Sequence, residues 1–178
     1  IQEDARWIDG EPVTADDIAF SLDRMSDLTK IRPRVRNIAP YYKNAEVVDP
    51  KTVKVNTTFN NPAVLLPFLA TGYMVMMPKH VLDGRPDAEE FYDTPSNIVA
   101  SGAFKFVSHE QGISMEIERN PDYFKPSLPF LDGVKAHIIG YKNRHMTALV
   151  TWQVDFSPGA GINETDANQF KKDIEGKA

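Results

Sequence analysis

Residues 101–130 read SGAFKFVSHEQGISMEIERNPDYFKPSLPF and contain the clearest structural pattern of the 178-residue chain. Apolar and polar side chains alternate on both sides of a short turn, Glu110-Gln111-Gly112. Alternation with a period of two around a glycine-containing turn is typical of a β-hairpin with one face packed and the other in water. The pattern therefore predicts a hairpin in a domain that contains β-structure, and it leaves the purpose of that domain open.

Local signals elsewhere predict a mixture of short helices and strands. Thr14, followed three residues later by Asp17, forms a capping-box pattern and predicts a helix over residues 14–27. Residues 45–59 alternate around Asp49-Pro50-Lys51 and predict a second hairpin. The same reasoning predicts helices at 63–70, 78–82, 88–92, 143–150 and 165–174, and strands at 73–77, 134–139 and 153–156, the first of these strands buried on both faces.

Several stretches also match sequence motifs of a known protein family, and they occur in the same order as in that family. They are WIDGEPVTADD (7–17), DPKTV (49–53), SGAF (101–104), ERNPDYF (118–124), PFLDG (129–133) and the helix-to-strand segment 147–156. Together they resemble the family 5 extracellular solute-binding proteins of bacterial ABC importers, which bind peptides, nickel and oligosaccharides. The matches extend over most of the chain.

The chain departs from the family pattern at a few positions. Ser101 and Ala103 stand where the family usually has Gly or Asn and often Pro. Trp152 stands where the family has a glycine, which can end a helix in the left-handed conformation. We therefore expect the helix to end in another way, or the Trp152 ring to fill a pocket.

The resemblance implies an α/β fold of the periplasmic-binding-protein type (class II, cluster C), present as a partial first lobe with a mixed sheet, hairpins and short helices. It assigns residues 1–95 mainly to the small extra subdomain of that lobe and residues 96–178 to the main part. Because family members are considerably longer, it also implies a fragment or a shortened form in which the second lobe is absent.

Composition excludes several classes of function. The net charge of −5 argues against nucleic acid as a partner, because phosphate binding needs clustered positive charge. No apolar run reaches the roughly 18 residues that span a membrane. The chain has no cysteine, which rules out disulfides, thiolate metal sites and cysteine nucleophiles within it.

Motifs for catalysis, cofactors or metals are missing from the sequence. The four histidines form no His-Glu-x-x-His pattern, the glycines form no phosphate-binding loop, and no serine lies in a Gly-x-Ser-x-Gly turn. We therefore predict no enzyme activity, no cofactor and no metal ligands. An enzyme would need a constellation spread over loops, for which His80 and Asp155 together with glutamates are the candidates.

Five residues are predicted to contact a solute: Tyr73, Ser101, Asp155, Phe156 and Ser157. Solute sites combine apolar and aromatic walls with a few polar groups, which Tyr73 and Phe156 would help to supply. The resemblance implies that the loop after the late acidic-hydrophobic pair faces the solute cleft, which selects residues 155–157. For each of these positions an ordinary packing or capping role remains an alternative.

The resemblance therefore implies the substrate-binding component of an ABC importer, in which two lobes capture a small solute and deliver it to the permease subunits in the membrane. Peptide is the first expectation for the solute, with oligosaccharide and nickel chelate as the others. The expected location is the periplasm, or the outer face of the membrane through a lipid anchor. A sensor or interaction domain built on the same fold, without a transport role, is the alternative.

Overall fold

A computed structural model describes residues 1–29, 38–59, 74–85, 94–157 and 163–175 of the chain. Clustering of contacts divides the chain into two compact units, one of Ile1–Ser108 with Ile117–Val134 and one of His109–Glu116 with Lys135–Ala178. The helices and strands of the described residues are α1 (Ala15–Ser26), β1 (Tyr42–Asp49), β2 (Thr52–Thr57), α2 (Lys79–Leu82), β3 (Phe104–Glu110), β4 (Ser114–Arg119), β5 (Gly133–His137), α3 (Lys142–Val150) and α4 (Glu164–Ile174). A 3-10 turn lies at Pro95–Asn97.

Helix α1 organises the first unit. It begins directly after Thr14, with the predicted capping box in place, and ends one residue before Asp27, so the prediction for this helix is confirmed. Its buried side chain Leu22 packs with Ile38, Tyr42 and Met74. A second buried cluster is formed by Ala5, Trp7 and Val13. The apolar face of one amphipathic helix thus supports much of this unit.

The hairpin predicted at residues 45–59 is confirmed. Strands β1 and β2 pair antiparallel, with Val47 opposite Val53. The turn between them is held by the Asp49 carboxylate, which accepts a hydrogen bond from the Lys51 backbone N–H at 2.8 Å. The first strand begins at Tyr42, three residues before the predicted boundary, and so brings a buried aromatic ring to the cluster around α1.

The hairpin predicted around Glu110-Gln111-Gly112 is confirmed as well, and a third strand extends it into a sheet with the order β3-β4-β5. Backbone hydrogen bonds join Ile113 to Glu110 at the tip and Asn120 to Ala103 at the base. Strand β5 runs antiparallel to β4, because Arg119 bonds to Asp132 at one end and Ile138 bonds to Ile113 at the other.

Two predicted strands are wrong. Residues 74–78 form no strand, and Val75, expected to be buried, is 62% exposed. Their backbone is held by side chains of α1 instead of a strand ladder, since Met77 N–H donates to Ser21 Oγ at 2.7 Å. Residues 153–156 also form no strand. The N–H groups of Gln153 and Val154 both donate to the Ala148 carbonyl, so the end of α3 uses them.

The end of α3 also corrects the expectation for Trp152. This residue adopts the left-handed conformation itself, with φ of +56°, and its ring is 72% exposed and fills no pocket. Trp152 N–H donates to the Leu149 carbonyl and Gln153 N–H to that of Ala148. These two bonds are the Schellman arrangement that glycine normally completes. The helix therefore ends in the family's way, with a tryptophan in the glycine position.

The remaining predicted helices are settled only in part. The short helix after Pro78, the helix at 143–150 and the final helix are confirmed as α2, α3 and α4, each within one residue of its predicted start. The helices predicted at 63–70 and 88–92, and the candidate contact Tyr73, lie outside the described residues. Across the described parts of the chain, no helix combines the length and the apolar character that a bilayer crossing requires.

Candidate functional site

The motif at residues 7–17 turns out to hold the fold together. Asp17 is only 3% exposed, and its carboxylate accepts hydrogen bonds from the backbone N–H of Thr14 and of Lys79, each at 2.8 Å. The Trp7 indole N–H donates to the same carboxylate at 3.4 Å. One buried acid thus joins the segment before α1, the first turn of α1 and the start of α2, so these side chains are committed to structure.

The turn within the same motif is also structural. The Asp9 carboxylate accepts from the Glu11 N–H at 3.2 Å and lies 2.8 Å from His80 Nε2. Gly10 has a φ of +95°, a conformation that other residues adopt only with strain. His80 was one of the candidates for a catalytic residue. It contacts Asp9 at the surface of the first unit, so it has a structural partner.

The hairpin motifs close the base of the β3-β4-β5 sheet. Asn120 is 3% exposed, accepts the Asp122 N–H through Oδ1 and donates through Nδ2 to the Gly102 carbonyl at 3.0 Å. Arg119 pairs with Asp132 at 2.7 Å. A Cβ on Gly133 would lie 2.7 Å from the Ile117 carbonyl oxygen, so only glycine fits there. These motif residues therefore hold the base of the sheet together.

Within the described residues, an apolar pocket in the first unit offers a surface suited to a solute. It is lined by residues 75–77 and 98–102, has a volume of about 490 Å³, and its walls are almost wholly apolar. Ser101, one of the predicted contacts, lies on this wall and is half-buried. Met76 and Met77 contribute flexible, polarisable side chains, which suit surfaces that accept varied partners.

Sequence reasoning missed most of this pocket. Residues 75–77 were expected in a doubly buried strand, and no pattern in 98–100 distinguished a pocket wall from a loop. The signal that could have found it is Pro78, which cannot continue a ladder and which follows a run of flexible methionines.

The other predicted contacts lie in the second unit, and the structure gives them different surroundings. Asp155 and Phe156 are exposed, the latter at 76%. Ser157 is half-buried, and its Oγ lies 3.2 Å from His145 Nδ1. The other ring nitrogen of His145, Nε2, lies 2.6 Å from the Ile139 carbonyl oxygen. The structure thus joins Ser157 to a histidine, twelve positions away, that the sequence did not single out.

Several ionisable groups in the described parts of the chain have shifted pKa values. The Lys142 ammonium, 2.6 Å from Asp166, holds the pKa of that carboxyl below its ordinary value, and the Asn163 backbone N–H lowers it further. Burial raises the pKa of the Tyr42 hydroxyl, and its hydrogen bond to Asp23 adds to the increase. The shift at Asp166 arises at the start of α4, and the shift at Tyr42 arises from packing in the buried cluster. Within the described ranges, no group of three or more His, Asp or Glu residues is placed to hold a metal ion.

Comparison with known proteins gives this architecture a family. The family model for bacterial extracellular solute-binding proteins, family 5 Middle, matches residues 1–177. A putative binding protein of Brucella melitensis, BMEII0691, is 32% identical over 130 residues, which cover 70% of this chain and 19% of that protein. The oligopeptide-binding protein AppA of Bacillus subtilis is 28% identical over 177 residues, covering 96% of this chain and 31% of AppA.

Solved structures agree with the sequence matches. AppA from Bacillus subtilis in complex with a nonapeptide superposes with a TM-score of 0.82 at 25% identity, over 97% of this chain and 33% of AppA. Haemophilus influenzae OppA in complex with RPPGFSPFR gives a TM-score of 0.84 over 99% of this chain and 36% of OppA, and at 22% identity it supports the fold alone. The chain thus spans between a fifth and about a third of the sequence relatives described here. It has the periplasmic-binding-protein fold in part, and it belongs to the family 5 bacterial extracellular solute-binding proteins.

Proposed function

We propose that the chain forms part of the first lobe of the substrate-binding component of an ABC importer, and that this component captures a peptide and delivers it to a membrane permease. The relatives support the solute class, because AppA is named an oligopeptide-binding protein and its structure holds a nonapeptide. Oligosaccharides and nickel chelates are the other solutes that such receptors take. The receptor would work in the periplasm or from a lipid anchor on the outer face of the membrane.

The observation that carries the proposal is the apolar pocket of the first unit. A peptide-capturing surface needs apolar walls for varied side chains and only a few polar groups for orientation. The pocket offers Met76, Met77, Ile98 and Val99 as walls, with Ser101 as a polar group among them. Its volume of about 490 Å³ exceeds what a single amino-acid side chain occupies.

The mechanism is capture by closure and involves no chemical step. A solute that contacts both lobes of such a receptor stabilises the closed state in proportion to its differential affinity for that state. The assignment of residues 1–95 to the small subdomain and 96–178 to the main lobe is part of this proposal, as are the solute contacts of Tyr73, Asp155, Phe156 and Ser157.

The test is a thermal-shift screen of the full-length gene product against oligopeptides, oligosaccharides and nickel chelates. A solute at 100 times its dissociation constant stabilises the protein by about 2.7 kcal/mol, which raises the melting temperature measurably. Peptides are expected to give the shift. Ser101→Phe fills the apolar pocket and should abolish it, whereas Ser108→Phe, at an exposed position of β3, should retain it.

The same screen distinguishes the transport receptor from the alternative function. A sensor or interaction domain without a transport role predicts a folded protein whose melting temperature responds to no class of solute. Loss of the peptide response in both serine variants would also count against the pocket, because the exposed position should be neutral.

A further inference from the structure

The second unit contains a hydrogen-bonded series, Ile139–His145–Ser157, whose proton positions follow from its geometry. His145 Nε2 lies 2.6 Å from the Ile139 carbonyl oxygen, which can only accept a hydrogen bond, so Nε2 carries the ring proton. A neutral imidazole has a single N–H. In the neutral ring, His145 Nδ1, 3.2 Å from Ser157 Oγ, is therefore an acceptor, and the serine hydroxyl donates its proton to it.

This arrangement fixes what Ser157 can offer to a bound molecule. A hydroxyl has one donor and two acceptor lone pairs. With its proton directed at His145, the Ser157 oxygen presents only lone pairs. Among the described residues no second hydrogen bond to this oxygen is present, and the side chain is half-buried. Asp155, two positions earlier and exposed, adds a second acceptor group to the same short segment.

We infer that Ser157 accepts a hydrogen bond from a backbone amide N–H group of a peptide solute, and that His145 is the positioning residue that sets this polarity. The inference rests on the proposed function, which supplies the peptide. It adds a determinant of specificity: the segment selects donor groups and disfavours a carboxylate. A free serine hydroxyl would accept either kind of group by rotating.

The binding test uses the full-length gene product, tetra-alanine and the three analogues in which one amide N–H is replaced by N-methyl. The wild type should bind one analogue about two- to tenfold more weakly than tetra-alanine, the effect of one net hydrogen bond. An N-methyl group also adds bulk, so the decisive quantity is the change of this ratio between variants. In Ser157→Ala the ratio should fall to within about twofold, because the acceptor is gone.

His145→Gln separates positioning from structural support. The glutamine amide reaches the position of Nε2 and can still donate to the Ile139 carbonyl, but it places no acceptor at the position of Nδ1. The variant should keep its melting temperature and lose the discrimination against the methylated analogue, as Ser157→Ala does. A purely structural role predicts that all four peptides weaken together or that none does. Ser108→Ala, on β3, is the control for the substitution itself.

A spectroscopic measurement tests the geometry without any solute. Long-range nitrogen–proton correlation spectra of the ring at neutral pH should show His145 protonated at Nε2, and protonation at Nδ1 would overturn the inference. Peptide binding that is unaffected by Ser157→Ala overturns the inference alone. If no oligopeptide of the thermal-shift screen binds to the wild type, the proposed peptide function fails, and the inference fails with it, whatever the tautomer.

Discussion

Among the described residues, Trp152 is the bulkiest one that adopts a left-handed backbone conformation. Its φ of +56° places a Cβ-bearing, bulky residue in the left-handed region, where the Cβ crowds the backbone. The ring gains little in return, since it is 72% exposed. The strain is held by the Schellman hydrogen bonds at the end of α3, which fix the backbone whatever side chain is present.

Replacing Trp152 by glycine should therefore stabilise the protein. We expect the free energy of unfolding of Trp152→Gly to exceed that of Trp152→Ala by about 1 kcal/mol, because only glycine removes the left-handed strain. Trp152→Ala is the matched control, since both variants lose the same exposed ring. Urea unfolding of the two full-length proteins measures the difference. Equal stability would show that the backbone is relaxed around the tryptophan.

At the scale of elements, the first turn of α1 acts as the junction of the first unit. Asp17 binds the backbone of its own helix and of Lys79, while its neighbour Asp16 reaches only the Lys79 ammonium, at 3.0 Å. That ion pair raises the pKa of the lysine. Two adjacent carboxylates thus do different work, one buried among N–H donors and one at the surface.

The two carboxylates give a paired prediction. Asp17→Ala leaves buried donors without an acceptor and should lower the free energy of unfolding by about 3 kcal/mol. Asp16→Ala removes an exposed ion pair and should cost less than about 1 kcal/mol. Chemical denaturation of both full-length variants tests this. A cost for Asp16→Ala equal to that of Asp17→Ala would contradict the role assigned to the buried acid.

Elements with local signals were predictable from the sequence. The capping residues of α1, the turn at Asp49-Pro50-Lys51 and the alternation in β3 and β4 act within a few residues, so reading along the chain finds them. Residues 74–77 and 153–156 were misassigned because their N–H groups bond to Ser21 and Ala148, partners that an apolar pattern does not reveal.

The candidate site was predictable only in outline for the same reason. Ser101 lies in a motif that the sequence displays, but part of the pocket wall comes from residues 75–77, more than twenty positions earlier. The hydrogen bond between His145 and Ser157 depends on the path of the chain after α3, which the sequence around these two residues does not predict. Most of the motif residues shared with the family hold the fold together, as Asp17, Asn120 and Gly133 do.

In the molecule as a whole, different parts of the chain have different roles. The motif residues build the scaffold, and the less distinctive residues 75–77 and 98–102 form the apolar pocket. The chain covers about a third of the length of AppA, and the receptor activity is a proposal for the whole protein. A measurement on the full-length gene product is therefore the informative one.

Hydrogen exchange, measured with and without a peptide that raises the melting temperature, tests directly whether the apolar pocket takes the solute. A bound peptide covers the pocket wall and suppresses local opening, so the amides of residues 98–102 should exchange more slowly in its presence. Ser101→Phe should remove that protection. Unchanged exchange at 98–102, with protection confined to other parts of the protein, would contradict the claim that this pocket takes the solute.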